Sequence, residues 1–181
     1  DYLVFQLRDV AAREAFVPGK CRVLFDAPSR DTAAHQLRKM GKSAVPTLLG
    51  LLEDRRPTRS SGAAMNGGRV LRYCDVALEV LEAISCQKFD DRTQRGAYLS
   101  TATGAERSQI IQRVRQWWRE KQDGTEPEWI RQSLEQSGVG AMQDRLAGAE
   151  RLIELEGANC LDFFRRRMRA EPTNGHIVRL L

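Results

Sequence analysis

The stretch "GKSAVPTLLGLLEDRRPTRS", Gly41 to Ser60, constrains this chain more than any other, because it sets Pro46 into an apolar helical run soon after a glycine. A proline in a helix interior removes a hydrogen bond and clashes with the preceding turn, whereas in the first turn its missing N–H does no harm. Upstream, "RDTAAHQLRKM" places Ala33, Ala34, Leu37 and Met40 along one helical face. Gly41 then supplies a left-handed stop, and Ser43 stands where it could accept from the first amides of a new helix. Leu48, Leu49, Leu51 and Leu52 form the buried face of that helix. Pro46 therefore starts a helix instead of breaking one, and the unit is two antiparallel helices joined by a tight turn.

The first helix of this unit recurs. In "CDVALEVLEAISCQKF", Asp75, Ala77, Leu78, Leu81, Ile84 and Ser85 match Asp31, Ala33, Ala34, Leu37, Met40 and Gly41. The spacing of about 44 residues lies within the roughly 40–47 of helix-pair solenoids. The partner helix of the second unit is "RSQIIQRVRQWWREKQ", with Ile110, Ile111, Val114, Trp117 and Trp118 on one stripe. A third pair closes the chain. "AMQDRLAGAERLIELEG" turns Leu146, Ala149, Leu152, Ile153 and Leu155 inward and stops at Gly157. "ANCLDFFRRRMRAEP" then restarts at Asn159 with Leu161, Phe164 and Met168 facing in. At the other end, "DYLVFQLRDVAAREAF" carries Leu3, Leu7, Val10 and Ala11 on a helical stripe that Pro18 and Gly19 terminate, as a capping helix would.

With those residues in view, the "GKSAVPTLLGLLEDRRP" turn resembles that of a HEAT repeat, and "DVALEVLEAI" resembles the first helix of the next. Residues 29–122 carry most of the likeness. Residues 141–181 resemble the degenerate HEAT-type helices of large bacterial repeat proteins. The resemblance implies an all-α fold, a right-handed α-α superhelix (a HEAT-like solenoid of the armadillo-like kind) of about three helix pairs plus an N-terminal capping helix. The whole of 1–181 is then a single repeat domain. Residues 1–28 are its cap, 29–122 are two repeats, and 123–181 are a degenerate third repeat with the start of another helix. Such stacks commonly bind protein on their concave face and sometimes bind nucleic acid.

Two long interruptions break the pattern, at 55–69 and 88–107. Both are rich in Gly, Ser, Thr and Arg, and the first contains an Asn66-Gly67 turn. Loops of that length are functional or disordered. The first is bordered by Arg55, Arg56, Arg59, Arg69 and Arg72, which form the partner-binding group expected from the sequence.

The sequence carries no recognisable catalytic motif. "MGKS" at 40–43 resembles the end of a phosphate loop, but Gln36 occupies the position of its first glycine and a helix stands where a strand is required. There is no G-x-S-x-G, and the four cysteines, at 21, 74, 86 and 160, form no C-x-x-C pair. His35 and His176 lie far from all of them, so no metal, cofactor or catalytic residue is expected. The cysteines read as small apolar residues of a reduced core. Trp117 and Trp118 beside Arg113, Arg115 and Arg119 could stack a base, although their stripe fits a core, and Arg165–Arg169 suits a helix C-terminus.

A chain with 41% hydrophobic and 29% charged residues belongs with globular proteins. No apolar run reaches the ~20 residues needed to span a bilayer. Lys and Arg number 29 against 24 Asp and Glu, a formal charge of +5, which is a modest field. The expectation is a non-enzymatic scaffold or protein-interaction module whose partner is another protein. The alternative is a nucleic-acid-binding HEAT-like protein related to the alkylpurine DNA glycosylases. The cytoplasm is favoured, and because the chain starts at Asp1 an upstream segment is expected to be missing, so export stays open.

Overall fold

The computed structural model describes residues 2–9, 32–62, 69–90, 98–136 and 142–170. Helix accounts for 79% of the described residues, so the all-α expectation holds at that level. The chain divides into two compact units, one of residues 1–84 and 89–122, the other of residues 85–88 and 123–181.

The first unit opens with α1 (Tyr2–Gln6) and a 3-10 turn, Leu7–Asp9, whose Leu7 is fully buried. The helical stripe expected from Leu3 onward is thus short, and Val10, Ala11, Pro18 and Gly19 lie outside the described residues. Helix α2 (Ala33–Met40) buries Ala33, Ala34 and Leu37. Thr32 caps it, its hydroxyl accepting from the His35 amide at 3.4 Å and meeting His35 Nδ1 at 2.8 Å. Gly41 ends it with φ +55°, a backbone angle that costs glycine little, and its N–H reaches the carbonyls of Leu37 and Arg38.

A 3-10 turn, Gly41–Ala44, leads into α3 (Val45–Leu51), with Pro46 in the first turn as its chemistry requires. Ser43 does not cap α3, because its hydroxyl donates back to the Met40 carbonyl at 2.9 Å. Val45, Leu48 and Leu52 are buried, while Leu49 and Leu51 are only half-buried.

The interruption expected at 55–69 contains an antiparallel hairpin, a correction to the reading of that stretch as loop. Strand β1 (Pro57–Gly62) pairs with β2 (Arg69–Arg72) in the register Pro57 with Arg72, Ser61 with Val70 and Gly62 with Arg69. The register shifts between Pro57 and Ser61, as at a β-bulge. Pro57, which has no N–H to donate, sits at the first strand position. Thr58 and Leu71 point inward, and the Thr58 hydroxyl donates to the Leu71 carbonyl at 2.8 Å. Asn66 and Gly67 lie outside the described residues.

Helix α4 (Tyr73–Ser85) follows β2 without a loop and is buried on every side, with Glu79 alone half-buried. A helix buried on every face belongs in a core, and its acidic residues Asp75 and Glu82 must then find donors there. Its first amides are satisfied by backbone, Tyr73 N–H donating to the Arg56 carbonyl and Cys74 N–H to that of Asp54. Buried Glu82 accepts the amides of Phe89 and Asp90 at 3.0 and 3.3 Å, which ties down the chain beyond the helix.

Helix α5 (Gly104–Lys121) begins inside the interruption expected at 88–107, behind a capping box of Thr103 and Glu106. It packs against α3 through a face of Ile110, Ile111, Val114 and Trp117. The two tryptophans part company here. Trp117 is buried edge-on against Phe89 at 5.6 Å, whereas Trp118 is half-buried at the margin.

The second unit pairs α6 (Glu126–Gln136), a helix absent from the sequence expectation, with α7 (Met142–Glu156). Gly148 lets them approach, since a Cβ there would meet Leu134 at 3.2 Å. Gly157, with φ +57°, ends α7, and the 3-10 turn Gly157–Cys160 passes the chain to α8 (Leu161–Ala170). The same device, a positive-φ glycine opening a four-residue 3-10 turn between two helices, stands at Gly41. Cys86, Ile130, Ala149, Leu152, Cys160, Phe163 and Phe164 make the core of this unit. Ile153 and Leu155, expected inside, are exposed, because the buried stripe of α7 runs through Ala149 and Leu152 instead. The side chains of Leu146 and Met168 lie outside the described residues.

Candidate interaction surface at the hairpin

Asp75, in the first turn of α4, fixes the geometry of the surface around it. Its buried carboxylate accepts the Arg72 amide at 2.8 Å, the Ser100 amide at 2.7 Å and the Ser100 hydroxyl at 2.8 Å. One side chain thus binds the end of β2, the start of α4 and the 3-10 turn Leu99–Thr101. Burial of a carboxylate is tolerable only with such a set of donors.

Four of the five arginines expected as a contact group have described side chains, and the fold does bring them around this clasp. Arg55, Arg56, Arg59 and Arg72 are all exposed. Arg55 Nη2 donates to the Ser100 carbonyl at 3.5 Å, and Arg72 Nη1 donates to the Arg55 carbonyl at 2.7 Å. Arg56 makes a fork on Asp54, with Nε 3.0 Å from both carboxylate oxygens and Nη2 2.5 Å from Oδ2. The guanidinium hydrogen bonds hold the Asp54 carboxyl below the usual carboxylate range. The Arg56 guanidinium also lies over the Tyr73 ring, 5.3 Å from its centroid. Arg69 belongs to β2, and its side chain lies outside the described residues.

Beside these arginines the structure adds a groove of about 460 Å³, lined by Val4, Phe5, Arg8, Arg56, Pro57 and Tyr73. Phe5 is 59% exposed, an unusual posture for a phenylalanine. Residues from α1, its 3-10 turn, β1 and α4 meet here across long sequence separations, so of the lining only Arg56 was within reach of sequence reasoning. Asp75 left a fainter signal, an acidic residue three positions into a helix that starts behind a strand.

Among the described residues, Cys74, Cys86 and Cys160 are buried. Burial, then the charge of Asp75, pushes the Cys74 thiol up to about 12, and burial likewise raises Cys160. A thiol so protonated is a poor nucleophile. Among the described residues no three His, Cys, Asp or Glu come together as metal ligands, and no helix is long and apolar enough to cross a membrane. On α8, Arg165 pairs with Asp162 at 3.1 Å and Arg167 donates to the Leu134 carbonyl at 3.2 Å, so part of that cluster serves its own unit. No protein-family model, curated protein or solved structure matches the chain.

Proposed function

We propose that this chain is a non-catalytic protein-interaction module, a scaffold built from HEAT-type helix pairs, and that the hairpin face of its first unit is the contact surface. The repeat reading draws support from the two glycine-initiated turns at Gly41 and Gly157, which join successive helices by the same local geometry. The single observation behind the contact surface is the arginine-lined hairpin, held rigid by the Asp75 clasp and set beside a groove with an exposed aromatic. Arginine and aromatic residues on a preorganised frame are the composition of interface hot spots. A nucleic-acid groove asks for several unpaired cations along a backbone path. Here Arg56 is already neutralised by Asp54, and Arg115 by Glu53 at 2.8 Å.

The test replaces Arg55, Arg56 and Arg59 together with Ala. Thermal stability should stay at the wild-type value, and cross-linking of the wild-type chain to a protein partner in cell extract should be lost. Undiminished cross-linking by a folded triple variant would remove the hairpin face as the contact.

A further inference from the structure

We infer that the groove between α1 and the hairpin takes a peptide segment that combines an acidic residue with an adjacent apolar side chain; this deepens the interaction-module reading and rests on it. The floor of the groove is apolar, and its Tyr73 side is held in place. Val4 and Phe5 come from α1, Pro57 is the rigid first residue of β1, and the Tyr73 ring is clamped by Arg56, which the Asp54 fork in turn holds. A Tyr73 ring already held by Arg56 needs little ordering on binding, which lowers the entropic cost of association. Its volume of about 460 Å³ accommodates one or two side chains of a partner and not an extended surface.

Charge complementarity sets the sign of the occupant. Of the two guanidinium groups at the groove, that of Arg56 is compensated by Asp54, while Arg8 has no ion-pair partner among the described residues. The surrounding exposed Arg55 and Arg72 donate only to backbone carbonyls and add positive charge. Of the nearby described carboxylates, Asp54 is committed to Arg56 and Asp75 to Ser100 and the Arg72 amide. An apolar slot edged by a guanidinium that has no ion-pair partner among the described residues selects an anion next to a hydrophobic anchor. A nucleic acid fits less well, because the Arg56 guanidinium covers a Tyr73 face on which a base would stack.

The probe is a pair of fluorescein-labelled peptides, one with leucine flanked by glutamates and one with leucine flanked by lysines, read by fluorescence anisotropy on the whole chain. The acidic peptide should bind, the basic one should not, and glycine in place of leucine should weaken binding about tenfold. Arg8→Glu and Phe5→Ala should each weaken the acidic peptide at least tenfold; both side chains are at the surface, and unchanged melting temperatures confirm folding. Perturbation of the Val4 methyl and Tyr73 ring NMR signals on titration places the peptide in the groove. Binding indifferent to leucine or to Arg8, or no binding of the acidic peptide, overturns the proposal, as does stronger binding of a single-stranded oligonucleotide. If cross-linking to a protein partner needs Arg55, Arg56 and Arg59 but survives Arg8→Glu and Phe5→Ala, the groove assignment falls while the interaction module stands.

Discussion

Two arginine–carboxylate pairs, one in each unit, show how differently the same chemistry can be spent. In the first unit Arg56 meets Asp54 at the surface, with the arginine side chain 75% exposed. In the second, Arg151 meets Glu126 at 2.7 Å and Glu154 at 3.1 Å, and its side chain is only 5% exposed. Burial alone would lower the affinity of the Arg151 guanidinium for its proton, but the hydrogen bonds and charges of Glu126 and Glu154 more than offset it, and the pKa is raised. Arg151 is therefore a structural element of α6–α7 packing, like the Arg131–Glu156 pair nearby. Arginine content by itself is a poor guide to a binding surface. What matters is which guanidinium groups remain in contact with water once the fold has taken its share.

The comparison breaks most sharply at Arg151. Arg151→Ala removes the buried guanidinium that Glu126 and Glu154 share and should destabilise the chain by about 3–5 kcal/mol, read from urea denaturation of the second unit. A loss under about 1 kcal/mol would place this pair with the surface ones. Replacing Arg151 and Glu126 together with apolar residues of similar volume should recover most of the loss, since neither charge of the pair then has to be held away from water.

Next in size is the clasp. Asp75→Ala strands the amides of Arg72 and Ser100 and should cost about 2–3 kcal/mol. The hairpin amides should also exchange faster with solvent than in the wild type. Hairpin protection that survives the substitution would show that β1–β2 holds its place without Asp75.

The smallest effect is that of pH on the surface pair. The Asp54 carboxyl titrates lower in the folded chain than in the unfolded one, so its contribution is fully present above about pH 4 and is lost as the pH falls further. Asp54→Asn should flatten that acid-side loss and lower stability at neutral pH by the same small amount, because the Arg56 side of the pair is open to solvent. A variant markedly less stable at neutral pH would contradict the surface assignment.

Much of the helical framework was legible because long 3.6-residue periods are strong signals. The Pro46 start, the Gly41 and Gly157 stops and the face of α5 all follow from that period and from capping chemistry. Helix α6 escaped notice because Trp129, Ile130 and Leu134 give it a narrow apolar face among charged residues, although Thr125 and Glu128 mark its start, with the Thr125 amide donating to Glu128 at 2.7 Å. Of the tryptophan pair, only Trp117 lies in the core. Successive helical residues point about 100° apart, so one of two adjacent side chains falls at the edge of a buried stripe. The hairpin was missed because its inward residues, Thr58 and Leu71, are too few to establish alternation. The groove left almost no trace at all, since Phe5, Pro57 and Tyr73 are brought together only by tertiary packing.

The central claim is that the arginines of the hairpin face serve a protein contact and not a phosphate backbone. Titrating a fluorescent DNA duplex at increasing salt tests it directly. A backbone groove with six or more arginine contacts would lose affinity by about 10³-fold or more between 50 and 200 mM salt from an initially tight complex. With a formal charge of +5 over 181 residues and Arg56 already paired, the account predicts weak binding that is gone near physiological salt. Tight binding that persists at about 150 mM salt, the physiological range, and disappears when Arg55, Arg56 and Arg59 are replaced with Ala would contradict it.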